Sequence, residues 1–292
     1  MNARRAFFLF ALLLLSSLCA HSQEKLSVKW EELTASDFVK AIGQAHNTCA
    51  LPFGILEKHG PHMPIGTDLL NVRYASLAAA QKEFTVVFPE YYFGQIFEAR
   101  QEPGTIAYSL DLQLKLLQET VNEMARNGCK KIVIVNGHGG NESLLPLFAQ
   151  SQLASSRDYA VFIYGLPKLD VPGRPAKRDD NDMHAGATET SHMMVSHPDL
   201  LRMDRTKQES GADQNRLKLP DSLYTGIWWY AKFPDHFAGD PSTANKELGA
   251  FDMNTWINSL ADAFRAVKAD QDTIRLQNEY FEKTKNPLAT KQ

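Results

Sequence analysis

The 292-residue sequence predicts an α/β fold with a mostly parallel central sheet. Three observations carry this. An amphipathic helical stripe at 110–124 leads into an apolar strand-like run at 131–135. Further apolar runs at 48–56 and 159–164 alternate with helical segments in the same rhythm. Polar clusters stand directly after two of these runs. Alternation of this kind implies right-handed crossovers and parallel strands between helices. In such sheets ligands gather at the carboxyl ends of strands.

Each element follows in order. Residues 1–22 are expected to be a cleaved secretory signal: Arg4 and Arg5, an apolar run over 7–15, then Ala20-His21-Ser22 before Gln23. The run is too short to span a bilayer. Cys19 raises a lipid-anchored alternative, for which Leu18 is a poor neighbour. Residues 23–292 are then expected to form one domain. Residues 48–56 read as a buried strand and 71–82 as a helix, with Thr67 or Asp68 near its start, where short oxygen-bearing side chains cap well. A short strand is expected at 85–88. Leu110, Leu114, Leu117, Val121 and Met124 recur at spacings of four and three, one face of a helix that Asn127-Gly128 stops. Residues 166–187 read as a loop, with helix resuming near Thr188. Residues 205–247 look irregular, and about 254–283 reads as a helix or helix pair.

Without residues 1–22, 29 basic residues face 34 acidic ones, a net charge of −5. That balance gives no support to nucleic-acid binding. No later stretch is long and apolar enough to span a membrane. The expected location is periplasmic or secreted. Cys49 and Cys129 both precede apolar runs, so they are read either as a pair or as two buried thiols.

The chemistry is concentrated in three clusters. Glu57 and His59 lie two apart at a strand end, so in extended geometry they leave on one side. A carboxylate and an imidazole converging there suit a divalent metal, and Asp68 follows with two oxygens able to bridge a pair of ions. Alone, this stretch reads rather as a solvated loop. His138 stands among glycines after the run at 131–135. In the third cluster Glu189 falls in a first helical turn, where it can serve the helix dipole as well as a metal. Trp228 and Trp229 are read as pocket wall or as packing.

Together, Glu57-x-His59-x₈-Asp68, Asn136-Gly-His138-Gly-Gly-Asn141 and His184-x₄-Glu189-Thr-Ser resemble the creatininase (creatinine amidohydrolase) family. Pro103-Gly104-Thr105, Gly239-Asp240-Pro241 and Lys246-Glu247-Leu248-Gly249 extend the likeness over about 51–249. The resemblance implies a three-layer α/β/α sandwich, a hydrolytic site with two divalent ions (zinc, manganese or iron) and homo-oligomers, often hexamers. It also implies a small-molecule substrate, a non-peptide amide such as a cyclic urea or formamide, although some relatives trim peptides. Carried across, Glu57, Asp68 and His138 hold one ion; His59, Asp68 and a further carboxylate hold the second. Creatinine-hydrolysing relatives carry that carboxylate two positions after the strand-end His, here Gly140. The resemblance to the other branch of the family assigns the role to Glu189, with Glu142 as competitor, and puts creatinine itself in question. His184 takes the general acid/base position, with Asp182 as its proposed orienter. The expected activity is therefore metal-dependent amide hydrolysis by a hydroxide that two ions generate near neutral pH. A metal-containing binding protein without turnover is the rival reading. A phosphoester hydrolase is the weaker one, since no basic cluster accompanies the motifs.

Overall fold

Four strands, β1 (Thr48–Phe53), β2 (Val86–Val87), β3 (Lys131–Asn136) and β4 (Ala160–Tyr164), pair in the order β2-β1-β3-β4, every pair parallel. The structure is a computed structural model that describes residues 25–220 and 222–291. The expected signal at 1–22, with Cys19, lies outside the described residues.

The strands are short and apolar because both faces are covered. In β1 all six residues are buried, and successive side chains point to opposite faces. Cys49, Leu51 and Phe53 join Ile132 and Ile134 in one core, closed by α1 (Ala35–Gln44), α3 (Leu110–Arg126) and α4 (Asn141–Ser151). Ala50, Val133 and Val135 face the other core, closed by Val72 and Ala75 of α2 (Thr67–Lys82) and by Trp256, Leu260 and Phe264 of α7 (Lys246–Ala269). The result is the expected three-layer sandwich. Helix α5 (Ala187–Ser196) packs on α2 and α7, and α8 (Thr273–Thr284) lies near β4.

Several boundaries differ from expectation. The first strand ends at Phe53 rather than 56, and the second shrinks to two residues. Of the α3 stripe, Leu117, Val121 and Met124 are buried, but Leu110 in the first turn is 44% exposed. The C-terminal pair starts at Lys246 rather than about 254, because the Asn245 side chain accepts the Leu248 N–H at 2.9 Å and caps the first turn. The irregular stretch before it contains the short α6 (Trp228–Lys232).

Cys49 and Cys129 form a disulfide, with Cα atoms 5.6 Å apart and both residues fully buried, which settles the two readings of this pair. The bridge closes 80 residues of chain. In chain-entropy terms a loop of that size is worth about 4–5 kcal/mol to the folded state. Among the described residues no helix is long and apolar enough to cross a membrane.

Candidate metal centre

The site assembles where β1 and β3 end side by side, Phe53 opposite Asn136. Beyond β1 the chain doubles back through a loop in which the Glu57 N–H bonds to the Ile65 carbonyl at 3.0 Å. It then enters α2, whose second residue is Asp68. Helix α2 approaches the end of β3 closely because Gly137 has no side chain; a Cβ there would stand 2.6 Å from Val72 Cβ and 3.1 Å from the Asp68 carbonyl. The turn carrying His138 is locked by its two asparagines. Asn136 Oδ1 accepts from the His138 backbone N–H at 3.2 Å and from Asn141 Nδ2 at 3.3 Å. That pairing explains why Asn flanks both sides of the Gly-His-Gly-Gly core.

Glu57, His59, Asp68, His138 and His184 are all buried, and Glu189 is partly exposed. His138 Nδ1 faces Glu57 Oε1 at 2.9 Å and Asp68 Oδ2 at 3.0 Å. His59 Nε2 lies 3.1 Å from Asp68 Oδ1 and 3.8 Å from Glu189 Oε2. Asp68 thus turns one oxygen towards each histidine. The ligand atoms of Glu57, Asp68 and His138 lie within 4.8 Å of one another, as do those of His59, Asp68 and Glu189, and those of Glu57, His59 and His184.

The electrostatics describe a cluster of opposed charges out of water. Burial by itself would lower the His59 pKa, but the Asp68, Glu189 and Glu57 carboxylates outweigh it and hold it up at about 10. His138 is likewise raised, Glu57 and Asp68 overcoming its burial. Burial would raise Asp68, yet the two histidines keep it well below the usual carboxylate range. His184 behaves oppositely: burial dominates and pushes it down to about 4.

The donor set fits divalent cations. Glu57 Oε1 and Asp68 Oδ2 are buried oxygens that share one close nitrogen, His138 Nδ1, whose single proton leaves at least one of them unsatisfied, a costly arrangement unless a cation is bound. The contact of His59 Nδ1 with the Glu57 carbonyl at 3.2 Å leaves Nε2 free as a ligand nitrogen. Cations entering here would displace the protons that the carboxylates hold on His59 and His138.

The sequence-derived residues divide as follows. Glu57, His59, Asp68, His138, Glu189 and His184 converge. Glu142, in the first turn of α4, is exposed and belongs to none of the three groupings. Glu189 also serves its helix, since its Oε2 accepts the Ala185 N–H at 2.6 Å. The vacancy at Gly140 is built in: a Cβ there would stand 2.4 Å from His138 Nε2 and 3.1 Å from Glu98 Oε1. Asp182 does not orient His184. Its Oδ2 accepts from Thr188 N–H and Oγ1, at 3.0 and 2.5 Å, and so organises the start of α5. The His184 ring is set instead by the Lys58 carbonyl, 2.8 Å from Nε2. His236 was not foreseen. It is buried, and its Nε2 meets Glu57 Oε2. A single His in a segment without periodicity has no spacing relation to the candidate ligands that could reveal it.

A cavity of about 680 Å³ opens on this cluster, walled by Phe97, Leu144, Leu147, Trp228 and Trp229.

Comparison with known proteins agrees with this geometry. The creatininase family profile, described as creatinine amidohydrolase, matches residues 31–264. Creatinine amidohydrolase of Pseudomonas putida is 25% identical over 263 residues, 80% of this chain and 95% of its own. A mycofactocin precursor peptide peptidase of Mycolicibacterium smegmatis is 28% identical over 231 residues, 77% of this chain and 87% of its own. Among solved structures, a creatinine amidohydrolase (creatininase) superposes with a TM-score of 0.70 at 22% identity, covering 85% of this chain and all of that one. Creatininase structures include a manganese form and a Zn–Zn form. Fold, buried carboxylate–imidazole cluster and family match coincide, and the chain belongs to the creatininase family of metal-dependent amidohydrolases.

Proposed function

We propose that this chain hydrolyses a carbon–nitrogen amide bond in a non-peptide substrate at a centre of two divalent cations. The observation that carries the reading is the position of Asp68, whose two oxygens face different histidines, each within a separate grouping of ligand atoms. Glu57, Asp68 and His138 would hold one ion, and His59, Asp68 and Glu189 the other. Ions held there supply a polarised amide carbonyl and a water of lowered pKa. The chain's own residues do the rest. Phe97, Leu144, Leu147, Trp228 and Trp229 offer apolar contact to the substrate, and His184 moves a proton at Nδ1, the nitrogen not committed to the Lys58 carbonyl.

One observation favours a second reading, peptide trimming. The cavity is roomy for a substrate as small as a single cyclic urea, and its apolar walls suit side chains. A relative named as a peptide peptidase supports the same direction. A panel of cyclic amides, N-formyl amines and short peptides, assayed with and without chelator, separates the readings. The expected result is turnover of at least one non-peptide amide, lost on chelation and restored by manganese or zinc. Turnover of peptides alone would replace the primary reading with the second. No turnover by the metal-replete chain would favour a binding protein.

The assignment of Glu189 yields its own prediction. Glu189→Gln should weaken one of the two ions by about 10-fold or more, as loss of a ligand charge exceeds the usual effect of an outer partner. Glu142→Gln should leave both ions bound as before. Metal titration of the two variants checks this, and the reverse pattern would move the ligand to α4. The disulfide and the N-terminal leader read from the sequence support an oxidising compartment. Two free thiols in protein purified without reductant would argue against it.

A further inference from the structure

We infer that His236 is a positioning residue for Glu57, itself oriented by Trp229, so that the three side chains form a hydrogen-bonded relay ending at the metal centre. The inference rests on the reading of Glu57 as a metal ligand. Trp229 Nε1 lies 2.9 Å from His236 Nδ1. An indole N–H can only donate, so His236 Nδ1 must be the acceptor and the ring proton must sit on Nε2. That Nε2–H meets Glu57 Oε2. The other oxygen of Glu57, Oε1, is buried without a hydrogen-bond partner and faces His138 Nδ1 at 2.9 Å. One oxygen is therefore anchored by protein and the other is left for a cation.

The backbone supports the same role. His236 has φ of +50°, a left-handed conformation rare outside glycine. Backbone strain of this kind collects at functional positions. The ring is buried between neighbours of the site, with its centroid 4.6 Å from that of His184 and 5.7 Å from that of Trp229. Trp229 in turn packs on Phe233 at 5.1 Å, so the indole that sets the tautomer is itself fixed. Outer partners of metal ligands fix orientation and typically change metal affinity 10–100-fold.

The test uses the full chain stripped by chelator and titrated with Mn²⁺, with free Mn²⁺ followed by electron paramagnetic resonance. His236→Phe should lower the affinity of one of two Mn²⁺ ions by about 10–100-fold. His236→Gln, which keeps an N–H donor at the end of the side chain, should recover most of that loss. Trp229→Phe removes the indole donor while keeping an aromatic ring, and should fall between His236→Gln and His236→Phe. Melting of the chelated proteins is the control: a packing role would lower their stability and leave the affinity of the folded protein unchanged. Wild-type affinities in His236→Phe, while wild type binds Mn²⁺, would overturn the relay alone. Should His236→Phe not fold, unchanged affinity in Trp229→Phe overturns it equally. A wild-type chain that takes up no Mn²⁺ would instead remove the metal reading, and the relay with it.

Discussion

Asp68→Ala should lose both divalent ions and lower amide hydrolysis by about 10³-fold or more. The size follows from the role of the ions, whose carbonyl polarisation is worth several kcal/mol, with each 1.36 kcal/mol a factor of ten. Asp68 is the only proposed ligand shared by the two groupings, His59 standing 3.1 Å from one oxygen and His138 3.0 Å from the other. Its removal also takes from His59 the carboxylate it faces at 3.1 Å and leaves His138 with Glu57 alone. Asp68 is buried, so its loss can also cost the metal-free fold about 3–5 kcal/mol as a broken buried pair, and the folded state has to be checked beside the metal content. Elemental analysis beside circular dichroism checks the prediction. A folded variant that loses a single ion would show that Asp68 does not bridge.

Much of this centre was legible in the sequence, and the reason is topological. In a parallel sheet the loops after neighbouring strands meet. Polar residues directly after the runs at 48–56 and 131–135 therefore had to face one another once β1 and β3 paired. Glu57, His59 and His138 are that case. Asp68 was legible because a helix start carries it back to the same edge. Helix α1, capped by Thr34 through the Asp37 N–H and burying Ala41 and Ile42, was not anticipated. Trp229 and His236 lie in a stretch whose position is set by tertiary contacts rather than by strand order. No local pattern couples them to Glu57, 179 residues away from His236. Asp182 shows the converse error. Nearness in sequence to His184 suggested an orienting bond, but a carboxylate just ahead of a helix finds exposed backbone N–H groups first, and Asp182 bonds to Thr188.

His184→Ala should leave metal content and fold intact while lowering kcat by ~10²–10⁴-fold, the usual contribution of a general acid or base. The ring is held with Nε2 2.8 Å from the Lys58 carbonyl, which places the proton on Nε2 and leaves the Nδ1 lone pair open, 3.9 Å from Glu189 Oε2. Burial pushes the pKa down to about 4, Glu57 opposing that shift and His59 adding to it, so the resting imidazole is neutral near pH 7. A neutral imidazole is an acceptor first. In the proposed reaction His184 would therefore take a proton from the attacking water at Nδ1 and then give it to the departing nitrogen, whose anion is too basic to leave unprotonated. This order predicts a graded result. The deficit in His184→Ala should shrink for an anilide whose leaving group bears strong electron-withdrawing substituents, because such an amine departs with less help from an acid. Rates on an ordinary amide and on the activated anilide, measured beside metal content, test the assignment. Equal kcat in variant and wild type on the ordinary amide would refute it. Loss of an ion would instead make His184 a ligand, as the grouping of Glu57, His59 and His184 within 4.8 Å permits. An equal deficit on both substrates, with both ions retained, would confine His184 to the attack step and leave the proton for the departing nitrogen to another group.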